Sequence, residues 1–330
     1  MILVTGGAGY IGSHVNVLLA DKGISTLVLD DLSLGHRELV VAGEFIRGDF
    51  ADTDLLSSLF KQYDIDTVVH LAALTDVDDS IARPKDYYDN NVVKTLRLLE
   101  TMIACGVHRF IFSSTSAVYA EEAEAPYTET SPMTPICPYG RSKLFIEQAL
   151  EDYRVAYDLQ YVAFRYFNAA GADPGGRVGE WHVPEPHLIP VVLEVAQGRR
   201  ENIKIFGTDY PTRDGTCIRD YIHVMDIAGA HARAVDYLAN GGESGAFNLG
   251  YGTGTSVAEV IEVCRRITKH EIPAIPSARR PGDGAASIAD CSRAMNVLGW
   301  KPQFGQLEEI ISTAWEWQQR LPGFKSSVAG

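Results

Sequence analysis

The chain has 330 residues, of which 46% are hydrophobic and 22% charged, as in an ordinary globular protein. Its 43 acidic and 29 basic residues give a net charge of -14, which argues against nucleic acids and anionic membranes as partners. No apolar run reaches the roughly 20 residues of a membrane span, and the chain opens directly on a strand-like run, so we expect no signal peptide. Its five scattered cysteines are typical of a reducing compartment, so we expect a cytoplasmic location.

The first half of the chain alternates short β-branched runs with helical patterns. Buried parallel strands are predicted at 2–5, 25–29, 67–71 and 109–113. Apolar stripes at helical spacing are formed by Ile11, Val15, Leu18 and Leu19, and by Val92, Leu96, Leu99 and Ile103. This alternation predicts an α/β fold of the Rossmann type, with a doubly wound parallel sheet.

After about residue 170 the pattern changes. The segment 171–187 is rich in Gly, Pro, His and acidic residues, as an active-site loop can be, and helical patterns follow at 256–268 and 306–319. We expect a Rossmann domain over 1–170 and a smaller α/β substrate domain over 171–330. Some later segments, such as 216–235, are expected to pack back on the first domain.

The helix that begins near Tyr139 carries two apolar faces rather than one. Phe145 lies on one face, and Ile146 with Leu150 lies on the other. One face can cover the sheet, and the second needs another partner. We therefore expect a homodimer that associates through helices near 91–103 and 143–157.

A glycine-rich turn follows the first predicted strand. In the run Thr5–Gly12, Gly6 permits a tight turn, Gly9 allows a pyrophosphate to approach, and Gly12 lets the helix lie near the sheet. The helix N-terminus then offers free N–H groups to the phosphates. The second strand ends at Asp30, whose carboxylate can bind the adenosine ribose and repel a 2′-phosphate, so NAD is favoured over NADP.

A phenol and an ammonium lie one helical turn apart at Tyr139 and Lys143. A nearby cation favours the phenolate, which makes tyrosine a usable base. The hydroxyl-rich segment 113–116 lies upstream. Together with the dinucleotide turn, these residues suggest hydride chemistry at an alcohol carbon.

Several longer strings extend this interpretation, among them TGGAGYIGSH at 5–14, PYGRSKL at 138–144, RYFNAAGADP at 165–174 and RRPGD at 279–283. With these strings in this order, the chain resembles the UDP-galactose 4-epimerases of the extended short-chain dehydrogenase/reductase family from residue 1 to about 319. The resemblance implies bound NAD, a UDP-sugar substrate and often a homodimer.

The resemblance also implies a role for each matching residue. Tyr139 would be the base, Lys143 its activator, and Thr115 the hydroxyl partner. Cofactor contacts are implied at Gly6, Gly9, Tyr10, Ile11, Gly12, Asp30, Asp49, Phe50, Leu71, Ala72, Ala73, Asn91, Tyr139, Lys143 and Tyr166. Substrate contacts are implied at Thr115, Asn168, His187, Leu188, Arg219, Arg280, Asp283 and Ser287. The two arginines also suit a diphosphate on chemical grounds, because guanidinium matches phosphate oxygens with paired donors.

Related reactions on the same fold remain alternatives. Sugar-nucleotide 4,6-dehydratases carry Asp-Glu directly after the active Thr, and UDP-glucuronate decarboxylases carry Glu at the position of Ala117. Here Ser116 and Ala117 count against both. A dehydrogenase that releases NADH, an epimerase of UDP-pentoses or UDP-uronates, and a non-catalytic NAD sensor stay open.

Two departures from the family pattern lead to further expectations. Many relatives carry Lys where this chain has Thr75, so we expect weaker retention of NAD. A bulky Tyr in the sugar pocket excludes N-acetylhexosamines, and alignment places the small Ser287 there, so we expect UDP-GlcNAc and UDP-GalNAc to be accepted as well.

No metal site is predicted from the sequence. His182 and His187 are five residues apart in a Pro-rich segment, with no third ligand visible.

Overall fold

A computed structural model describes residues 1–120, 124–280 and 282–321. Its strands, in chain order, are β1 Ile2–Thr5, β2 Thr26–Asp30, β3 Glu44–Arg47, β4 Thr67–His70, β5 Arg109–Ser113, β6 Gln160–Tyr166, β7 Asn168–Ala170, β8 Ile203–Phe206, β9 Ile218–Arg219, β10 Tyr221–His223, β11 Gly245–Leu249, β12 Thr255–Ser256, β13 Ala274–Ser277 and β14 Ala286–Ser287.

Helices alternate with these strands. They are α1 Tyr10–Asp21, α2 Thr53–Gln62, α3 Val77–Ala82, α4 Pro84–Tyr88, α5 Lys94–Ala104, α6 Pro138–Tyr157, α7 Leu188–Ala196, α8 Val224–Ala239, α9 Val257–Thr268, α10 Ser292–Val297 and α11 Leu307–Gln318. A π-helical turn, Asp89–Val93, precedes α5, and short 3-10 turns lie at Arg37–Leu39 and Ser116–Val118.

Seven strands form one parallel sheet in the order β11-β6-β5-β4-β1-β2-β3. The predicted strands at the start of the chain are its centre, and successive residues of β1 point to opposite faces. Val4 packs in a core with Val15 of α1 and Ile227 of α8. Leu3 packs in another core with Leu98 of α5 on the opposite face. Helices therefore cover both faces, which confirms the doubly wound Rossmann-type fold.

The sheet draws on late segments of the chain. Both α8 and β11 follow residue 170, yet β11 pairs in parallel with β6 along Gly245–Leu249. A separate core joins α7, α9 and α11 through Val192, Val260 and Ile311, beside two- and three-stranded sheets that include β9 and β14. The division of the chain near residue 170 into two domains stays a prediction.

The topology brings several predicted site residues to one edge of the large sheet. The carboxyl ends of parallel strands meet there, and ligands of doubly wound proteins bind outside that edge. Gly6 follows β1, Asp30 ends β2, Leu71 follows β4, and Thr115 lies just beyond β5. Within the described residues, no helix has the length and apolar character needed to cross a bilayer.

Candidate active site

The turn between β1 and α1 is shaped by glycine. Gly6 has φ +74°, and a Cβ on it would lie 2.4 Å from the backbone nitrogen of Ala72, so a side chain is excluded for both reasons. Gly9 occupies the N-cap of α1, and no side chain of the described residues caps that helix. The first N–H groups of α1 are thus left for another acceptor, and an anion suits that position.

Asp30, the last residue of β2, stabilises this turn through hydrogen bonds. Its carboxylate accepts hydrogen bonds from the N–H of Ala8 at 3.0 Å and of Leu32 at 2.9 Å. Burial raises the pKa of Asp30, against these two donors, which lower it. The acid predicted at the adenosine ribose is therefore fixed in place by the backbone around it.

The chain after β4 is held by a buried amide. Asn91 accepts a hydrogen bond from the N–H of Leu74 at 2.9 Å and donates one back to its carbonyl at 2.9 Å. It also donates to the hydroxyl of Ser142 in α6 at 3.2 Å. Asn91 thus ties the segment that contains Leu71, Ala72 and Ala73 to the helix that carries Tyr139.

Two predicted adenine-side residues lie after β3. Asp49 forms an ion pair with Lys94 at 2.6 Å and accepts a hydrogen bond from the N–H of Ala51 at 2.9 Å. Phe50 is buried against the ring of His70, with the ring centres 4.9 Å apart. These contacts fix the segment after β3 beside β4 and α5.

Tyr139 and Thr115 are brought together by a close approach between α6 and the turn after β5. A Cβ on Gly140 would lie 2.3 Å from the carbonyl oxygen of Ala117, so only glycine permits this spacing. Thr115 accepts a hydrogen bond from the N–H of Ala117 at 3.1 Å, and its hydroxyl is near enough to Tyr139 to lower the pKa of that phenol. The predicted base and hydroxyl partner are therefore neighbours.

Lys143 lies beneath Tyr139, where its ammonium donates to the carbonyl of Ser113 at 2.8 Å. The ammonium lies 6.0 Å from the centre of the Tyr139 ring and 4.9 Å from that of Phe112. The spacing of one helical turn thus places both groups on one side of α6, as predicted.

Burial controls the acidities of this pair. It raises the pKa of Tyr139 to about 12, although the hydrogen bond with Thr115 lowers it. It lowers the pKa of Lys143 to about 7, although Glu147 raises it. Burial therefore favours the neutral form of both groups, and formation of the phenolate requires further positive charge near Tyr139.

A buried hydrogen-bond network lies next to Tyr139 and Lys143. Glu147 accepts two hydrogen bonds from the Arg165 guanidinium, with contacts of 2.5 Å and 3.0 Å, and a further one from the hydroxyl of Ser114. Tyr166, predicted at the cofactor, donates to the hydroxyl of Ser113. Sequence reasoning did not single out Glu147, although its place one turn after Lys143 on the same helix face was a usable signal.

Three predicted substrate residues converge although they are far apart in sequence. The Asp283 carboxylate lies 3.2 Å from the Arg219 guanidinium and 3.0 Å from that of Arg280. Ser287 lies beside Arg219, because β14 pairs with β9 in that register. The structure therefore brings the two arginines together around one carboxylate.

The other substrate-side residues lie along β7 and at the start of α7. The N–H of Asn168 donates to the carbonyl of Asp220 at 2.9 Å, and Leu188 packs against the core of the α7 layer. His187 precedes α7, and its Nδ1 lies 2.6 Å from Glu180 and 3.2 Å from Glu185. Burial opposes the charged imidazole, but the two carboxylates outweigh it and raise the pKa of His187 to about 10.

Known proteins are similar to this chain over nearly its whole length. The family model described as GDP-mannose 4,6 dehydratase matches residues 3–313. A UDP-glucose 4-epimerase of Halalkalibacterium halodurans is 51% identical over 321 residues, which are 97% of this chain and 96% of that protein.

Two solved structures are similar in fold and in sequence. The UDP-glucose 4-epimerase of Brucella ovis in complex with NAD is 45% identical with a TM-score of 0.93, covering 96% of this chain and 97% of that one. The Bifidobacterium longum enzyme in complex with NAD+ and UDP is 39% identical with a TM-score of 0.91, covering 97% and 98%.

This chain belongs to the UDP-glucose 4-epimerase family. The matching family model is described as a sugar-nucleotide dehydratase. The full-length epimerase relatives therefore decide that this chain belongs with the epimerases.

The strand edge of this family member offers groups that suit a dinucleotide. Gly9 leaves the end of α1 open to an anion among the described residues, and Asp30 offers a carboxylate at the end of the neighbouring strand. The cation-rich cluster around Arg219 lies on the other side of the site and suits a second, anionic ligand. The strand edge therefore suits a dinucleotide cofactor, and the cluster around Arg219 suits a negatively charged substrate.

Proposed function

We propose that this chain is an NAD-dependent 4-epimerase that interconverts UDP-glucose and UDP-galactose. The observation that carries the proposal is the buried Tyr139 beside Thr115, with the Lys143 ammonium 6.0 Å from the centre of its ring. These residues lie at the edge of the sheet where doubly wound proteins bind dinucleotides. The epimerase complexes with NAD and UDP among the relatives support both ligands.

The cofactor is proposed to lie along the strand edge. Gly6, Gly9, Gly12 and the N–H groups of Tyr10 and Ile11 bind its pyrophosphate, as free helical N–H groups can. Asp30 binds the adenosine ribose, and Asp49 and Phe50 lie at the adenine. The remaining proposed contacts come from Leu71, Ala72, Ala73, Asn91, Lys143 and Tyr166.

Tyr139 is proposed as the base that takes the proton from the sugar 4-hydroxyl. When bound, NAD supplies the hydride acceptor and a positive ring that favours the phenolate. Thr115 orients that proton, since its oxygen is already fixed by the N–H of Ala117. Lys143, held by Ser113, contributes further positive charge when protonated and a ribose contact. The same groups act in reverse after the 4-keto sugar has turned, so no net oxidation results.

The UDP moiety is proposed to be bound by the cluster on the substrate side. Arg219 and Arg280 each have a carboxylate partner in Asp283. A diphosphate can compete for both guanidinium groups, and the freed Asp283 can accept from the uridine ribose. Asn168, His187 and Leu188 complete the proposed substrate contacts.

Product analysis tests the proposal directly. Purified protein with added NAD is incubated with UDP-galactose, and the products are separated and quantified. We expect UDP-glucose with no net NADH. Accumulation of NADH at 340 nm would instead identify a dehydrogenase, and failure to convert UDP-galactose would contradict the assignment.

Ser287 is proposed to leave room for an N-acetyl group. It lies beside Arg219 in the sheet, and its small side chain leaves space that a tyrosine would fill. UDP-GalNAc should therefore be converted as well as UDP-galactose. Ser287→Tyr should lower turnover of UDP-GalNAc by about tenfold or more relative to UDP-galactose. Equal loss for both sugars would contradict the pocket argument.

We also propose a cytoplasmic homodimer. The five cysteines are free, which is consistent with a reducing compartment. Large apolar side chains of α6 are exposed at Phe145, Val155 and Tyr157, and such a face is a candidate for association with helices near 91–103 and 143–157 of a second copy. Light scattering of the purified protein measures the mass, and a monomer at micromolar concentration would contradict this arrangement.

A further inference from the structure

Four side chains that could bind a cation converge between the start of α1 and the start of α7. They are Glu180, His182, Glu185 and His187, and one nitrogen or oxygen from each lies within 4.8 Å of the others. Their spacing in sequence is two, three and two residues, so one short segment supplies all four.

The distances within this group, here called the 180–187 cluster, suit a tetrahedral ion. Nδ1 of His182 lies 3.3 Å from Glu180 and 3.4 Å from Glu185, and Nδ1 of His187 lies 3.2 Å from Glu185. Ligands about 2.05 Å from zinc stand about 3.3 Å apart at tetrahedral angles. A fourth pair, His187 and Glu180, is 2.6 Å apart, so it would need to open by less than about 1 Å. The other two pairs lie within 4.8 Å.

The orientation of these atoms also points to a missing partner. Glu180 Oε1 and His182 Nδ1 are both buried, and neither has a hydrogen-bond partner of good geometry in the described part of the chain. The side chain of Glu180 is only 6% exposed. The ion pair of Glu180 with His187 leaves this buried oxygen without an aligned donor, and a cation at the centre of the cluster would satisfy it.

Further contacts, one within the group and two outside it, hold its members in place. The N–H of His187 donates to Glu185 at 3.0 Å, and the indole N–H of Trp317 donates to the carbonyl of Glu180 at 2.9 Å. The ring of His182 packs edge-on against Tyr10, with centres 6.2 Å apart. Outer contacts of this kind orient metal ligands.

We propose that the 180–187 cluster binds one divalent zinc-class cation. Two imidazoles with two carboxylates suit zinc, whereas Mg²⁺ and Ca²⁺ prefer sites made of oxygen alone. The ion joins a segment that contacts α1 through Tyr10 to His187, the residue just before α7. It therefore fixes the wall between the glycine-rich turn and the substrate side, where it positions His187 and takes no part in the transfer of hydride or proton.

Zinc titration of the protein with NAD added tests this proposal. Tag-free protein is treated with chelator, dialysed and titrated with zinc in competition with a chromophoric chelator. We expect one tight equivalent per chain, a higher midpoint of thermal unfolding with zinc, and no comparable effect of Mg²⁺. Cobalt substitution should give the visible absorption of a tetrahedral site. No tight equivalent for the unaltered chain would overturn the proposal.

Variants assign the equivalent to the cluster. His182→Ala and the conservative Glu185→Gln should each lose it, whereas His270→Ala should keep it because that exposed imidazole lies against Trp315 instead. Retention of zinc by both cluster variants would overturn the proposal. Should either variant fail to fold, the cobalt spectrum of the unaltered chain still decides, since absence of tetrahedral absorption contradicts the site.

Discussion

The cofactor side and the substrate side of the site are built in different ways. On the cofactor side, Tyr139 is 9% exposed and Lys143 2%, and neutral hydrogen bonds such as those of Asn91 fix the surrounding backbone. On the substrate side, Arg280 is half exposed and is held by the charge of Asp283. The first region is arranged before ligands bind, whereas the second is an assembly of charges that a charged ligand can rearrange.

Removing the phenol should have the largest effect. Tyr139→Phe leaves the buried ring in place but removes the only atom proposed to accept the sugar proton. We expect kcat to fall by about 10²–10⁴-fold, the usual contribution of a positioned base. NAD binding, measured by fluorescence or by nucleotide released on denaturation, should be unchanged. Normal turnover in this variant would contradict the proposed base.

Removing one arginine should change binding more than chemistry. Arg219→Ala removes a phosphate donor, and hydrogen bonds to charged groups contribute about 1.5–3 kcal/mol. We therefore expect KM for UDP-galactose to rise about tenfold to a hundredfold with little change in kcat, and the KM of the unaltered enzyme to rise with ionic strength.

A matched control separates this effect from a general loss of positive charge. Arg266→Ala removes an exposed guanidinium whose partner is Glu308, away from the site. Its KM should stay close to that of the unaltered chain. Equal effects of both substitutions would show that Arg219 acts only through net charge.

The buried ammonium predicts a dependence of stability on pH. Lys143 has a pKa of about 7 in the folded protein against 10.5 for the free side chain, so between these values the unfolded chain binds more protons. Stability from this group therefore rises as pH increases through that window. Relative to Lys143→Met, the unaltered protein should gain about 2 kcal/mol of unfolding free energy between pH 7 and 9.

Urea unfolding at pH 7 and pH 9, without added cofactor, measures this difference. The range stops below pH 10 because Tyr139 begins to titrate there in the unfolded chain. Its pKa is raised to about 12 in the folded protein, so its contribution to stability would fall as pH rises from 10 to 12. A constant difference between the two proteins across the range would show that Lys143 stays charged.

The difference between the cofactor side and the substrate side also explains how much of the site could be predicted from the sequence. Gly6, Asp30 and the pair Tyr139 and Lys143 belong to local patterns, in which strand ends and helical spacing determine where side chains point. The convergence of Arg219 and Arg280 came from the resemblance, since nothing local links two residues so far apart.

Contacts that depend on tertiary packing escaped local reasoning. The ion pair of Glu147 with Arg165 joins α6 to β6, and β11 completes the sheet from late in the chain. Glu180 and Glu185 were visible as acids in the segment 171–187. They could not be recognised as neighbours of the two histidines, because only the folded segment shows that their atoms converge.

The smallest effect is expected where the two sides meet, at Thr75. This exposed residue follows Leu74, which Asn91 fixes in place, and precedes Asp76, which caps α3 through the N–H of Asp79 at 2.8 Å. Thr75→Lys introduces the cation that the resemblance implied at this position. A single exposed charge contributes about 0.2–1 kcal/mol, so NAD should dissociate up to about fivefold more slowly.

A matched control adds the same charge far from the cofactor. Asn240 lies at the C-terminus of α8, at the opposite edge of the parallel sheet, so Asn240→Lys should leave the dissociation rate of NAD unchanged. Equal slowing by both variants would show that net charge, rather than the position beside Leu74, governs how firmly the cofactor is held.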